Sequence, residues 1–134
     1  MSGGIESLKT NLPHDAVERY RFPLAEGLLY YFPAALCAVA EVSQIGNRQH
    51  NGNSPLHWAR GKSTEHADKI LRHLIDAGTI DVDGTRHTAK LAWRALALLQ
   101  EELEAHEGAP LPRNARIDIK SAAPNIPSTV PTGD

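Results

Sequence analysis

Three acidic side chains in this sequence are spaced so that helices can bring them to one cation. Glu65 and Asp68 are three residues apart, so on a helix their carboxylates converge. Glu41 stands near the C-terminal end of an otherwise apolar stretch, where a negative charge opposes the helix dipole and sits among alanines and valines. Two antiparallel helices carrying these three groups can hold one or two divalent ions in oxygen ligands. The same acids also suit a plain solvated face. A second constellation is basic: His87, Lys90 and Arg94 share one side of a later helix. Three donors in a stripe suit a phosphate chain, with arginine able to grip in a bidentate way. Trp93 lies beside that stripe, and Trp58 and His50 fall in a long polar loop; each either stacks on a base or simply packs.

Histidine is over-represented, with seven in 134 residues and five of them between His50 and His87. His66 and His73 are seven apart, nearly on one azimuth, at the border of the acidic and apolar arcs of their helix. There a histidine is either a hydrogen-bonded packing residue or a ligand. The turn from Thr79 to His87 adds Asp81 and Asp83, and Asp83 also reads as a helix cap. Other chemistries are excluded. There is no Gly-x-x-x-x-Gly-Lys-Ser/Thr loop and no Gly-x-Gly-x-x-Gly. One cysteine, Cys37, rules out an internal disulfide and a thiolate-rich zinc site, reads as inert packing, and fits a reducing cytoplasm. A net charge of −2 gives no bulk support to binding DNA phosphates. No apolar run reaches the length of a membrane span.

The elements that position these residues are helical. The first helix is expected from Phe32-Pro33 to Ser43, with Gly46 past its end; the second from Ser63 or Thr64, either able to cap, to Ala77-Gly78. The third starts near Asp83 to Thr85 and ends at Glu107-Gly108. Ala67, Ile70, Leu71, Leu74 and Ile75 form the apolar band of the second, roughly opposite Glu65, Asp68 and Arg72. Leu91, Leu98, Leu99 and Leu103 belong to that of the third. Nothing alternates like a strand, so the expected fold class is all-α. The working domain is residues 23–107, after an N-terminal extension (1–22) and before a Pro-rich tail (108–134) that holds five of the nine prolines and should be extended and disordered. So short a core is marginal alone, so a homodimer or homotetramer is expected.

Taken together, Phe32 to Asn51 with Glu41 and Gly46, Leu56-His-Trp58-Ala-Arg-Gly-Lys62-Ser-Thr-Glu65-His66-Ala-Asp68, Arg72-His73-Leu74, Asp81-Val-Asp83-Gly84 and His87-Thr-Ala-Lys90-Leu-Ala-Trp93-Arg94 resemble the dATP/dGTP diphosphohydrolase N-terminal domain family. The resemblance spans residues 32–104 and implies an all-α, MazG-like bundle of the kind found in small phage and bacterial proteins. It further implies hydrolysis of a purine deoxynucleoside triphosphate to the monophosphate and pyrophosphate with Mg²⁺ or Mn²⁺. In the broader MazG-like pattern a Glu-x-x-Glu pair precedes Glu-x-x-Asp; here the first pair is Ala38-x-x-Glu41 and the second is Glu65-x-x-Asp68. Glu41, Glu65 and Asp68 are then the expected catalytic metal ligands. Asp83, Asp81 or a histidine (His66, His73 or His87) stands in for the carboxylate absent at Ala38, and Asp83 is counted with the metal set. Lys62, Arg72, Lys90 and Arg94 are expected on phosphate, with the His50 to Trp58 loop shaping the base pocket. The competing reading is a non-catalytic helical oligomer that binds a nucleotide or a protein partner.

Overall fold

The computed structural model describes residues 9–116. Three helices dominate it: α1 (Pro33–Asn51), α2 (His66–Ile75) and α3 (His87–Glu107). The architecture is all-α, with α3 packed along α2 and, less extensively, against α1. Extended structure among the described residues is slight: an isolated bridge between Ile80 and Arg86, and a two-residue parallel ladder. That ladder joins β1 (Trp58–Ala59) to β2 (Ala115–Arg116), with Trp58 opposite Ala115. The Trp58 N–H also donates to Asn114 O at 2.6 Å, so the chain after α3 is drawn back onto the loop that follows α1. The expected Pro-rich tail thus begins with a tethered segment; its remainder, 117–134, and residues 1–8 lie outside the described residues. No single helix among the described residues is long and apolar enough to cross a membrane.

Helix α1 starts at Pro33, as a proline in the first turn should, but runs eight residues past Ser43 and straight through Gly46. Its polar last turn is held by the loop. Lys62 Nζ donates to His50 O at 2.6 Å, Asn51 Nδ2 to Asn47 Oδ1 at 2.8 Å, and Asn47 Nδ2 to Ser54 O at 2.9 Å. These bonds satisfy groups that a helix end otherwise leaves to water, and Gly52, at φ +61°, makes the exit. A Cβ built on Gly46 meets nothing within 4 Å. Gly46→Ala is therefore expected to stabilise the fold by about 0.5–1 kcal/mol in urea unfolding, through helix propensity.

Helix α2 begins at His66, and neither Ser63 nor Thr64 caps it. The residue before it is Glu65, at φ 59° and ψ 42°, a left-handed conformation that costs a side chain about 1 kcal/mol. Asp83 does not cap α3 either, because its carboxylate is engaged elsewhere and Arg86 occupies that position. Gly108 closes α3 at φ +72°, as its place past the last helical residue suggests.

The largest departure from expectation is the orientation of α2. Its buried residues are His66, Lys69 and His73, while Ala67, Leu71, Leu74 and Ile75 face outward. The apolar band expected to seal the core is on the outside, because the other face meets ionic and imidazole groups of α3 and the turn before it. The buried apolar residues among those described are Ala89, Ala97 and Ala115. Leu98, Leu99 and Leu103 of the α3 band are also exposed, and so is Cys37, which is not packed as its neighbours suggested.

Candidate active site

A cavity of about 550 Å³ lies among α1, the 56–63 loop, α3 and the strand after it. This is the size range of small-molecule sites. Val39, Val42 and Ile45 of α1 and Leu96, Leu99 and Leu103 of α3 form apolar walls, with Trp58 and Trp93 between them. The charged lining residues are Lys62, Lys69, Lys90, Arg94 and a single acid, Asp83. Of these, the Lys90 ammonium is shared between Asp83 and Asp81, and the Lys62 ammonium is bonded to the end of α1.

Next to it lies an ionic cluster built by the turn between α2 and α3. Gly84, at φ +87°, lets the chain reverse, and Asp81 N–H donates to Thr85 O at 2.7 Å. The reversal places both acids of the turn on Lys90, one turn into α3: Nζ is 2.7 Å from Asp81 Oδ2 and 2.8 Å from Asp83 Oδ2. Burial pushes both carboxyls up, but the Lys90 ammonium outweighs it and holds them below the usual carboxylate range; Thr85 and Gln49 help at Asp83. Burial by itself lowers Lys90, but its two carboxylates raise it above the ordinary lysine value. His73 Nδ1 and His87 Nδ1 are 2.9 Å apart, and His87 Nδ1 is 4.0 Å from Asp81 Oδ2. One ligand atom from each of His73, Asp81 and His87 falls within 4.8 Å of the others, a donor set that fits a divalent ion.

A second network runs from the other end of α2. Arg94 Nη1 lies 3.1 Å from His66 Nδ1 and 3.3 Å from Thr64 O. Arginine only donates, so His66 Nδ1 accepts, and His66 Nε2 lies 3.2 Å from Glu101 Oε1. Arg60 completes the network through a two-pronged pair with Glu104 at 2.6 and 3.0 Å. Hydrogen bonding to Arg60 holds the Glu104 carboxyl below its usual value against partial burial. A depressed carboxyl adds stability above its unfolded pKa, near 4.5, and loses it as pH falls through the lower folded value. Glu104→Gln is expected to flatten the acid limb of a thermal-melt series below about pH 4.5.

The structure separates the expected site residues into two groups. His50, Trp58, Lys62, Asp83, Lys90 and Arg94 line the cavity; Glu41, Glu65, Asp68 and Arg72 are exposed and are not among its lining residues. Lining groups besides Asp83, Lys90 and Arg94 also have structural partners. The Lys62 ammonium is bonded to the end of α1, and the Arg60 guanidinium covers one face of Trp58 at 3.9 Å from the ring centroid. Trp58 also meets Trp93 edge-on at 5.6 Å, and Trp93 Nε1 donates to Ser43 Oγ at 2.8 Å, so both indoles pack. Lys69 also lines the cavity, and its one signal in the sequence is its place on the His66 and His73 face, three residues from one and four from the other.

The family described as dATP/dGTP diphosphohydrolase, N-terminal, matches residues 14–110. No curated protein and no solved structure matches.

Proposed function

The chain belongs to the dATP/dGTP diphosphohydrolase N-terminal family, and on that premise we propose that it hydrolyses a purine deoxynucleoside triphosphate to the monophosphate and pyrophosphate. The observation that carries this reading is the cavity: Lys69, Lys90 and Arg94, all buried, face it together with apolar walls suited to a base. Arg94, braced by His66 and Glu101, presents a guanidinium whose planar donors match phosphate oxygens. Lys69 adds a charge at the cavity wall, while the Lys90 ammonium is shared with Asp81 and Asp83. Gly46 lies in the cavity lining with open space at its Cβ position, so Gly46→Ala is expected to weaken nucleotide binding while it stabilises the helix.

In this reading His73, Asp81 and His87 hold a divalent ion, with Asp83 beside them. When bound, such an ion offsets phosphate charge and lowers the pKa of a bound water. Two imidazoles with one carboxylate favour Mn²⁺ over Mg²⁺. Asp81 is shared with the Lys90 ammonium, which keeps the carboxylate ionised and aimed at the cluster. Glu41, Glu65 and Asp68 are the alternative ligand set. Their exposure is also what favours the second reading, a nucleotide binder without turnover.

The test is incubation with each deoxynucleoside triphosphate and Mn²⁺, with the products resolved. Purine monophosphate and pyrophosphate, abolished by chelator, are expected. Diphosphate and orthophosphate as products would overturn the reaction assigned, and binding without products would leave the binder.

A further inference from the structure

The cavity has two chemically different ends, and α3 sets the distance between them. Lys90 and Leu103 both line it, thirteen residues apart on that helix, which is about 20 Å at 1.5 Å per residue. The Lys90 end is ionic and polar: Gln49 Nε2 donates to Asp83 Oδ2 at 3.2 Å, and Lys62 bonds the last turn of α1. Ser43 meets Trp93 while Gln49 meets Asp83, so α1 runs antiparallel to α3 and carries Val39 and Val42 towards Leu96 and Leu99. That end is apolar. It is walled by the chain after α3, which turns back at the Ala109 N–H to Leu103 O bond and brings Pro112, Asn114 and Ala115 into the lining. The family match ends at residue 110, so this wall lies outside it.

We propose, on the nucleotide reading of the cavity, that Asn114 binds the edge of the base and that the segment after α3 is the wall that selects it. Phosphates then take the ionic end, beside His73, Asp81 and His87, and the base takes the apolar one. The reading group is held in place by its backbone. Asn114 O accepts from the Trp58 N–H at 2.6 Å, and the adjacent Ala115 is 2% exposed and paired with Trp58 in the ladder. The tether leaves the side chain over: among the described residues the Asn114 amide makes no hydrogen bond, and the residue is exposed. The other amide at this end, Gln100, donates to Glu104. A carboxamide offers a donor and an acceptor side by side. It matches the amino group and neighbouring ring nitrogen of adenine, and equally O6 and N1–H of guanine, so it accepts both purines.

The experiment follows quenching of Trp58 and Trp93, the two tryptophans of the chain, both in the cavity lining. The 134-residue chain is titrated in Mn²⁺ with α,β-imido analogues of dATP and dGTP, and with inorganic tripolyphosphate. The imido bridge blocks the bond to be cleaved, so binding is read without turnover. Asn114→Ala is expected to weaken both analogues by about tenfold or more and to leave tripolyphosphate, which has no base, unchanged. Asn114→Asp keeps acceptors and loses the donor. It is expected to lower the preference for the dATP analogue over the dGTP analogue by about tenfold, because a carboxylate accepts from N1–H and the 2-amino group of guanine but repels a ring-nitrogen lone pair of adenine. Arg113→Ala, next in the chain but outside the lining, is expected to match the wild type. Analogue affinities unmoved by Asn114→Ala, or a preference unmoved by Asn114→Asp, overturn the assignment. So does a loss that is equal for tripolyphosphate or equal in Arg113→Ala. A wild type that binds neither analogue fails earlier, at the nucleotide reading itself, and the assignment falls with it.

Discussion

Mn²⁺ is expected to raise the melting midpoint of the wild-type chain, and Asp81→Asn is expected to abolish that shift and to slow pyrophosphate release by about a hundredfold or more. The change keeps the size of the side chain and removes the only charged ligand of the His73, Asp81 and His87 cluster. An ion present at a hundred times its dissociation constant stabilises the folded state by about 2.7 kcal/mol, so the lost shift is large enough to read in a simple melt. The rate loss follows from the several kcal/mol of charge stabilisation that a bound ion supplies, at one decade per 1.36 kcal/mol. His87→Ala and His73→Ala are expected to act in the same direction. The informative comparison is Glu65→Gly. That change removes one of the exposed carboxylates and relieves a left-handed backbone at φ 59°, so the metal-free protein should gain about 0.5–1 kcal/mol. A Mn²⁺ shift that survives Glu65→Gly and vanishes in Asp81→Asn places the ion at the imidazole cluster. The reverse pattern returns it to Glu41, Glu65 and Asp68.

Lys90→Met carries the largest expected loss of stability, about 3–5 kcal/mol in urea unfolding, because it leaves two carboxylates facing each other inside the protein without their ammonium. Lys90 is 4% exposed, and the Asp81 and Asp83 side chains are each 12% exposed, so water does little to compensate. Against a total of about 5–15 kcal/mol for an ordinary domain, that is a loss that unfolds a marginal one. Asp81→Asn with Asp83→Asn in the same chain should recover much of it, since the cost comes from uncompensated charge. The pH dependence has a definite sign. Both carboxyls are depressed on folding, so their contribution is present above their unfolded value near 3.8 and is lost as pH falls through the folded values. Lys90 is raised, so its share is present below its unfolded value near 10.5 and is lost as pH rises through the folded one. In a melt series in chelator, the acid limb should become shallower in the triple variant.

Much of this arrangement was legible one residue at a time. Pro33 in a first turn and Gly108 past a last one marked the start of α1 and the end of α3, because proline and glycine act through their own backbone geometry. The 3.6-residue spacing of the leucines and alanines between Leu91 and Leu103 marked a helix whatever it packs on. Gly46 misled. It ends a helix only when the next turn finds no partners, and the partners of Asn47 and His50 come from Ser54 and Lys62 in a loop whose path has no local signature.

The existence of the three helices and the stock of acids, bases and imidazoles could thus be read directly, since helix formation and side-chain charge are local properties. Which side of α2 turns inward depends on packing. Periodicity reports that a helix has two faces, and the usual expectation buries the apolar one. Here Asp81, Asp83, His87, Lys90 and Arg94 give the polar face so many partners that it is the one buried. That choice removed Glu65 and Asp68 from the cavity and brought His73 to Asp81 and His87. Pairings between groups on different elements depend on how those elements pack, and spacing along one helix does not contain that information.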